Sequence, residues 1–255
     1  MRTIKLTLAY DGTAYAGWQV QPGQRTLQET LEAALATITG ETVRVTASGR
    51  TDAGVHALAQ VVSFDTQSTL SADVFQRALN AELPHDMAVL NAADAPPGFH
   101  AIRDAVRKRY RYVLDDAPVP DVFRRHYAWH YRQRLDADTM RRAAQGLLGT
   151  HDFRSFETGW PQRTSSVRTI FDLSVRRGLF GDDELIAVEV EADGFLYNMV
   201  RAIVGTLVEV GRGTRPEDWP VEVLAAQDRR VAGMTAPPHG LFLLRVEYNQ
   251  NEAEG

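Results

Sequence analysis

Asp52 sits in the stretch Gly49-Arg50-Thr51-Asp52-Ala53-Gly54, a carboxylate in a turn flanked by glycines and two residues from a guanidinium. An ionised carboxylate can act as a nucleophile or a base. Glycines on both sides let the backbone take positive φ or approach a bulky ligand, which would hold the acid on a tight projecting loop. The plainer alternative is an exposed Arg-x-Asp salt bridge or a cap for local amides.

Arg201 is the second candidate. From Phe195 to Val210 the run FLYNMVRAIVGTLVEV is apolar nearly all round, with Arg201 and Glu209 its only charges. Such a pattern predicts a largely buried helix and a guanidinium in need of an anion. A buried charge left without its partner costs on the order of 3–5 kcal/mol. Asp52 is an attractive partner; Glu209, two turns along the helix, or snorkelling to the surface is the other reading. The third candidate is KRYRY. As a strand it puts Tyr110 and Tyr112 on one face and Arg109 and Arg111 on the other. Tyrosines on a sheet face can stack on a nucleobase while arginines hold phosphates, but alternating tyrosines also serve as ordinary packing. His126 and His130 are four apart in a locally extended pattern, without HExxH and without cysteine, so no metal site is expected. His56 and His100 adjoin the key motifs and are expected to hydrogen-bond rather than to move protons.

The elements that would position these residues follow from periodicity. Alternation in TIKLTLAY sends Ile4, Leu6 and Leu8 to one side of a strand. Thr26 can cap a helix through LQETLEAALATI, with Glu29 as capping-box partner and Leu27, Leu31, Ala34, Leu35 and Ile38 on its core face. TVRVTA and AQVVSFDT read as strands, Ser71 can cap the helix ADVFQRALNAEL, and DMAVLNAAD reads as another strand. A comparable order returns after the APPG break. RYRYVLDD and HYAWHYR fit strands, DADTMRRAAQGLLG a helix, RTIFDLSVRR and ELIAVEVEAD strands, FLYNMVRAIVGTLVEVG and PEDWPVEVLAAQ helices, and GLFLLRVEY a last strand. The expected architecture is α+β: two ferredoxin-like or RNP-like halves, each with helices on one face of a largely antiparallel sheet, and a cleft between them. The halves are expected at 1–98 and 99–248, followed by an acidic tail at 249–255. HDFRSFETGWPQRTSSV lacks periodicity, and a loop of that length is commonly functional.

With 255 residues and 44% hydrophobic side chains the chain can bury a large core, and a folded rather than a disordered chain is expected. The absence of cysteine removes disulfides, thiolate nucleophiles and cysteine zinc sites, and agrees with a reducing compartment. The start alternates rather than running apolar, and no stretch is long and apolar enough for a bilayer, so a soluble cytoplasmic protein is expected. A net charge of −5 argues against nucleic-acid binding by overall basicity, yet arginines gather locally, as in RDAVRKRYRY.

Taken in order, YDGTAYAGWQVQP, GRTDAGVHALAQVVSF, FHAIRDAVRKRYRYVL, DFRSFET and GFLYNMVRAIVGTLVEVG resemble the tRNA pseudouridine synthase A family, from about Thr3 to Tyr248. GRTDAGVHA is the specific signature. The resemblance implies an isomerase that converts uridine to pseudouridine in the anticodon stem and loop of tRNAs, without metal or organic cofactor, as a homodimer. It makes Asp52 the catalytic aspartate, Tyr110 the tyrosine that stacks on the uracil and could act as a base, and Arg201 the ion-pair partner of Asp52. Arg50 becomes a loop arginine that positions the RNA, with Arg103 and Arg109 as further substrate contacts. After FHA the family commonly has arginine, whereas this chain has Ile102 and then Arg103, so one RNA contact differs. Two rivals remain. A non-catalytic RNA-binding module would not require an acid opposite a buried arginine, and a nucleoside or glycoside hydrolase generally needs a second, comparably constrained acid.

Overall fold

The structure is a computed structural model that describes residues 1–159 and 164–249. The tail expected at 249–255 lies outside them apart from Asn249, as does the 160–163 part of the long loop. In chain order the elements are β1 (Arg2–Tyr10), α1 (Leu27–Thr39), β2 (Thr46–Ala47), β3 (His56–Thr66), α2 (Ala72–Glu82), β4 (Met87–Asp94), β5 (Ala105–Asp115), β6 (Trp129–His130), α3 (Ala137–Gln145), β7 (Gly149–Asp152), β8 (Val167–Arg177), β9 (Leu185–Ala192), α4 (Met199–Gly211), α5 (Trp219–Ala226) and β10 (Leu241–Tyr248). Among the described residues no helix is long and apolar enough to cross a membrane.

Two compact units result, one of residues 1–106 with 242 onward, the other of residues 107–241. The divide expected after Gly98 thus falls several residues later, and most of β10 belongs with the first unit. The reason is visible in the contacts of that strand. Phe242 and Leu243 pair in parallel with His56 and Ala57, the Phe242 ring stacks on the His56 imidazole at 4.7 Å, and the Tyr248 hydroxyl donates to the Ala101 carbonyl at 2.8 Å.

The first unit is β-α-β-β-α-β. Its strands lie in the order β4, β1, β3, with β2 and β10 both on the free side of β3; the β1–β3, β1–β4 and β2–β3 pairs are antiparallel. Ile4, Leu6 and Leu8 are fully buried, as the alternation predicts, and so are Leu27, Leu31 and Leu35 of α1 and Phe75 and Leu79 of α2. TVRVTA contributes only Thr46–Ala47 to the sheet. The Glu32 side chain instead takes the Val45 N–H at 3.0 Å and pairs with Arg44, which draws the segment away from the ladder.

In the second unit β5, β9, β8 and β7 follow one another antiparallel, and the two-residue β6 pairs in parallel with β5. Of HYAWHYR only Trp129 and His130 form strand; before them Tyr127 and Ala128 donate their N–H groups back to the Arg124 carbonyl. Every residue of β9 is buried, and the apolar helix α4 packs against α3 and α5.

Candidate active site

Asp52 heads a turn closed by the Val55 N–H on the Asp52 carbonyl at 3.1 Å. Gly54 takes a φ of 76°; Gly49 does not need positive φ. The carboxylate-bearing residue itself is half-buried. Three sets of contacts fix the turn. Behind it, the Tyr10 and Thr51 hydroxyls share a hydrogen bond of 2.9 Å, and Gln60 donates to the Gly49 carbonyl at 2.8 Å while accepting from the Ser48 hydroxyl at 2.6 Å. Burial pushes the Tyr10 phenol up to about 12, so it stays neutral and keeps its proton for this network. At one end, the buried His56 accepts the Gly12 N–H on Nδ1 at 3.1 Å, and a Cβ on Gly12 would overlap the Val55 carbonyl. Beside it, the Trp18 N–H donates to the Thr51 carbonyl at 2.9 Å.

The same short segment satisfies the start of α1. Leu27 and Gln28 donate their N–H groups to the carbonyls of Gly17 and Trp18 at 3.1 and 3.0 Å. The capping box expected from Thr26 and Glu29 is therefore absent: the Thr26 side chain makes no cap bond, and its buried hydroxyl has no partner among the described residues. Backbone carbonyls do what the side chains were expected to do, and they couple the first turn of the helix to the Asp52 turn. Gly12, Gly17 and Gln60 were not singled out from sequence. Two glycines in DGTAYAG beside a strand were the available signal.

Tyr110 and Tyr112 share the buried face of β5, as the strand reading requires. Tyr110 meets Phe195 edge-on, ring centres 5.0 Å apart. Tyr112 donates its hydroxyl to the Pro237 carbonyl at 2.7 Å; burial holds its pKa well above the ordinary value, opposed by the positive charge of Arg201. On the other face Arg109 and Arg111 lie opposite Glu191 and Glu189 in the β5–β9 register. Arg109 donates to Glu189 at 2.8 Å and to Asp172 at 2.7 Å, and Arg111 reaches Glu189 at 2.7 Å. These donors are engaged across three strands, so Arg109 has a structural task in the sheet.

Arg201 lies in the first turn of α4. The helix begins at Met199 rather than Phe195, because Leu196 to Asn198 turn instead and Asn198 stands in the left-handed region at φ 61°. The Asn198 side-chain carbonyl accepts from Arg201 Nη1 at 2.7 Å, and the Ala236 carbonyl accepts from Nε at 2.7 Å. Glu209 is not its partner; that carboxylate takes Arg212 at 3.2 Å and the Thr214 hydroxyl at 2.7 Å. Arg201 is half-buried and fastened at both its neutral acceptors, which sets aside snorkelling as well. Asn198, Ala236 and Pro237 are residues that sequence reasoning missed. Left-handed asparagine has no clear sequence signal, although strain of this kind collects at functional sites.

The remaining expected contacts differ in character. Arg50 is exposed and forms no ion pair among the described residues, Asp52 included. Arg103 is exposed but occupied, bonding Asp104 at 2.8 Å and the Gly98 carbonyl at 2.5 Å, while His100 Nδ1 accepts the N–H groups of Ile102 and Arg103. His130 bonds the Ala117 carbonyl at 2.9 Å. Of the long loop, His151 and Asp152 pair in β7 and Phe153 and Phe156 are core residues.

A family model described as tRNA pseudouridine synthase matches residues 7–102 and 143–249, which include Asp52 and Arg201; Tyr110 lies between the two segments. The chain is 49% identical over 255 residues to tRNA pseudouridine synthase A of Halalkalibacterium halodurans, covering 100% of this chain and 95% of that protein. Identity is 46% over 248 residues with the Bacillus subtilis protein of the same name (96% and 99% covered) and 43% over 248 residues with that of a Thermoanaerobacter species (97% and 100%). On this full-length similarity, the chain belongs to the tRNA pseudouridine synthase A family.

Proposed function

We propose that the chain converts uridines in the anticodon stem and loop of tRNA to pseudouridines, as a cytoplasmic homodimer, with Asp52, Arg201 and Tyr110 acting on the same uridine. As a member of its family it is an isomerase, a tRNA pseudouridine synthase. The observation that carries the reading is identity of 43–49% across essentially the whole chain, together with an acid on a turn that the fold fixes from three sides.

Pseudouridine formation breaks the bond between uracil N1 and ribose C1′, turns the base, and joins C5 to C1′. N1 gains a proton and C5 loses one, so atoms balance without a redox step. An ionised Asp52 suits attack at C6, attack at C1′, or removal of a ribose proton. Arg201, oriented by Asn198 and Ala236, is the cation we assign to Asp52. Tyr110, with its ring set by Phe195, is assigned to stack on the uracil and to receive the C5 proton directly or through water. The uridine must first leave the RNA stack, at a cost of a few kcal/mol that backbone contacts offset. Exposed Arg50 is suited to such a contact.

The test is incubation with uridine-labelled tRNA transcripts followed by mapping of pseudouridine by position. Conversion confined to the anticodon stem and loop is the expected result. Free uracil would indicate hydrolysis, and binding without conversion a non-catalytic RNA-binding module; either would overturn the proposal.

A further inference from the structure

The second unit holds a cavity of about 450 Å³ at the end of α4, distinct from the residues around Arg201. Its chemistry is set by Arg215, Trp219, Arg230 and Glu209, with residues 231–233 as a small apolar wall. The Arg215 guanidinium lies over the Trp219 ring, 4.8 Å from its centre, and takes no carboxylate partner among the described residues. Arg230 is highly exposed and is steadied by Asp228, with Nη2 to Oδ2 at 2.7 Å. Glu209 brings the negative charge, but its oxygens are engaged by Arg212 and the Thr214 hydroxyl. Arg230 gives its Nε and Nη2 to both Asp228 oxygens, so what the cavity offers a ligand is chiefly the Arg215 guanidinium, with Arg230 at the exposed rim, beside a small apolar surface.

We infer that this cavity takes a backbone phosphate of the tRNA substrate, away from the reacting uridine, with the adjoining ribose against Val231 and Ala232. The inference rests on the tRNA reading above. A stacked guanidinium is held in orientation and presents its donors edge-on, an arrangement that suits a phosphodiester. A chain of net charge −5 must also hold a polyanion through local basic sites rather than through its overall field. The cavity has a connection to the catalytic residues as well. Residues 231–233 run directly into Ala236 and Pro237, whose carbonyls hold Arg201 and Tyr112, and Gly233 is tied to α4 by its N–H on the Thr206 hydroxyl at 3.0 Å.

Arg215→Ala, Arg230→Ala and the double variant test this, with binding of a full-length tRNA transcript measured across a salt series alongside steady-state kinetics. Each single change is expected to weaken binding by about three- to tenfold and to reduce the slope of log K against log salt by about one. KM should rise with kcat unchanged at saturating tRNA. Arg215→Lys keeps the charge without the flat stack, so it should retain the slope while losing part of the affinity; this also covers an Arg215→Ala variant that folds poorly. Wild-type affinity and slope in the double variant would overturn the inference. If the unmodified protein fails to convert uridine in tRNA, the parent reading falls instead, so the two failures are distinguishable.

Discussion

Gly17 lies against the backbone of Thr51: at its φ of 98°, a Cβ would stand 2.9 Å from the Thr51 carbonyl oxygen and 3.1 Å from the Ala53 nitrogen. Both the left-handed backbone and the lack of space require glycine there. Gly17→Ala should therefore displace the turn that carries Asp52 while leaving the sheet intact. We expect a stability loss of about 1–3 kcal/mol and a fall in kcat/KM of about 10- to 100-fold, the scale of a misplacement near 1 Å. Thermal melts with single-turnover assays check this, and an unchanged kcat/KM would show that the turn tolerates the shift.

Asn198 and Arg201 form a second testable pair. Asn198→Gly keeps the left-handed conformation but removes the acceptor for Arg201, whereas Asn198→Ala removes the acceptor and strains the backbone. Activity should fall by a similar factor of about ten or more in both, as expected for a lost hydrogen bond to a charged group, with stability falling further in the alanine variant. Arg201→Met should lower activity further. Full activity in Asn198→Gly would mean that only the backbone conformation matters.

Acid sensitivity follows from Asp116. Its side chain is fully buried and bonds Arg177 at 2.7 Å, Arg134 at 3.1 Å and the Leu135 N–H at 2.9 Å. Burial alone would raise its pKa, but the Arg177 bond, the Leu135 N–H and the two positive charges outweigh it and hold the carboxyl below its ordinary value. The unfolded chain then binds the proton more readily than the folded one. This stabilisation is present in full above the unfolded value of about 4 and is lost as pH falls from there through the lower folded value. Asp116→Asn should cost about 3 kcal/mol at neutral pH and flatten the acid limb of stability. Denaturant unfolding at pH 7 and below pH 4 measures both, and an unchanged acid slope would contradict the assignment.

Periodic patterns made much of the fold legible. Ile4, Leu6 and Leu8 alternate because one face of β1 is covered, and the apolar surround of α4 reports its burial. What escaped were choices made by tertiary partners. Thr26 has the right side chain for a cap, but carbonyls of Gly17 and Trp18 reached the helix first; Thr42 to Val45 has strand composition, but Glu32 claims its amide. For the candidate site, residue type and spacing raised Asp52, Tyr110 and Arg201 as candidates and the family resemblance gave them roles, while their supports Gly17, Gln60, Asn198 and Ala236 depend on backbone conformation and carbonyls that side-chain chemistry does not announce. Arg109 was legible as to its face and not as to its task, since the carboxylates opposite it come from strands some 63 and 80 residues away in sequence.

The most direct measurement compares Asp52→Asn with the unaltered protein in pseudouridine formation on tRNA, alongside tRNA affinity and melting temperature. The substitution keeps the shape and one acceptor oxygen while removing charge, so turnover should fall by at least about a thousandfold with affinity and melting temperature nearly unchanged. Turnover at the unaltered rate would contradict the account.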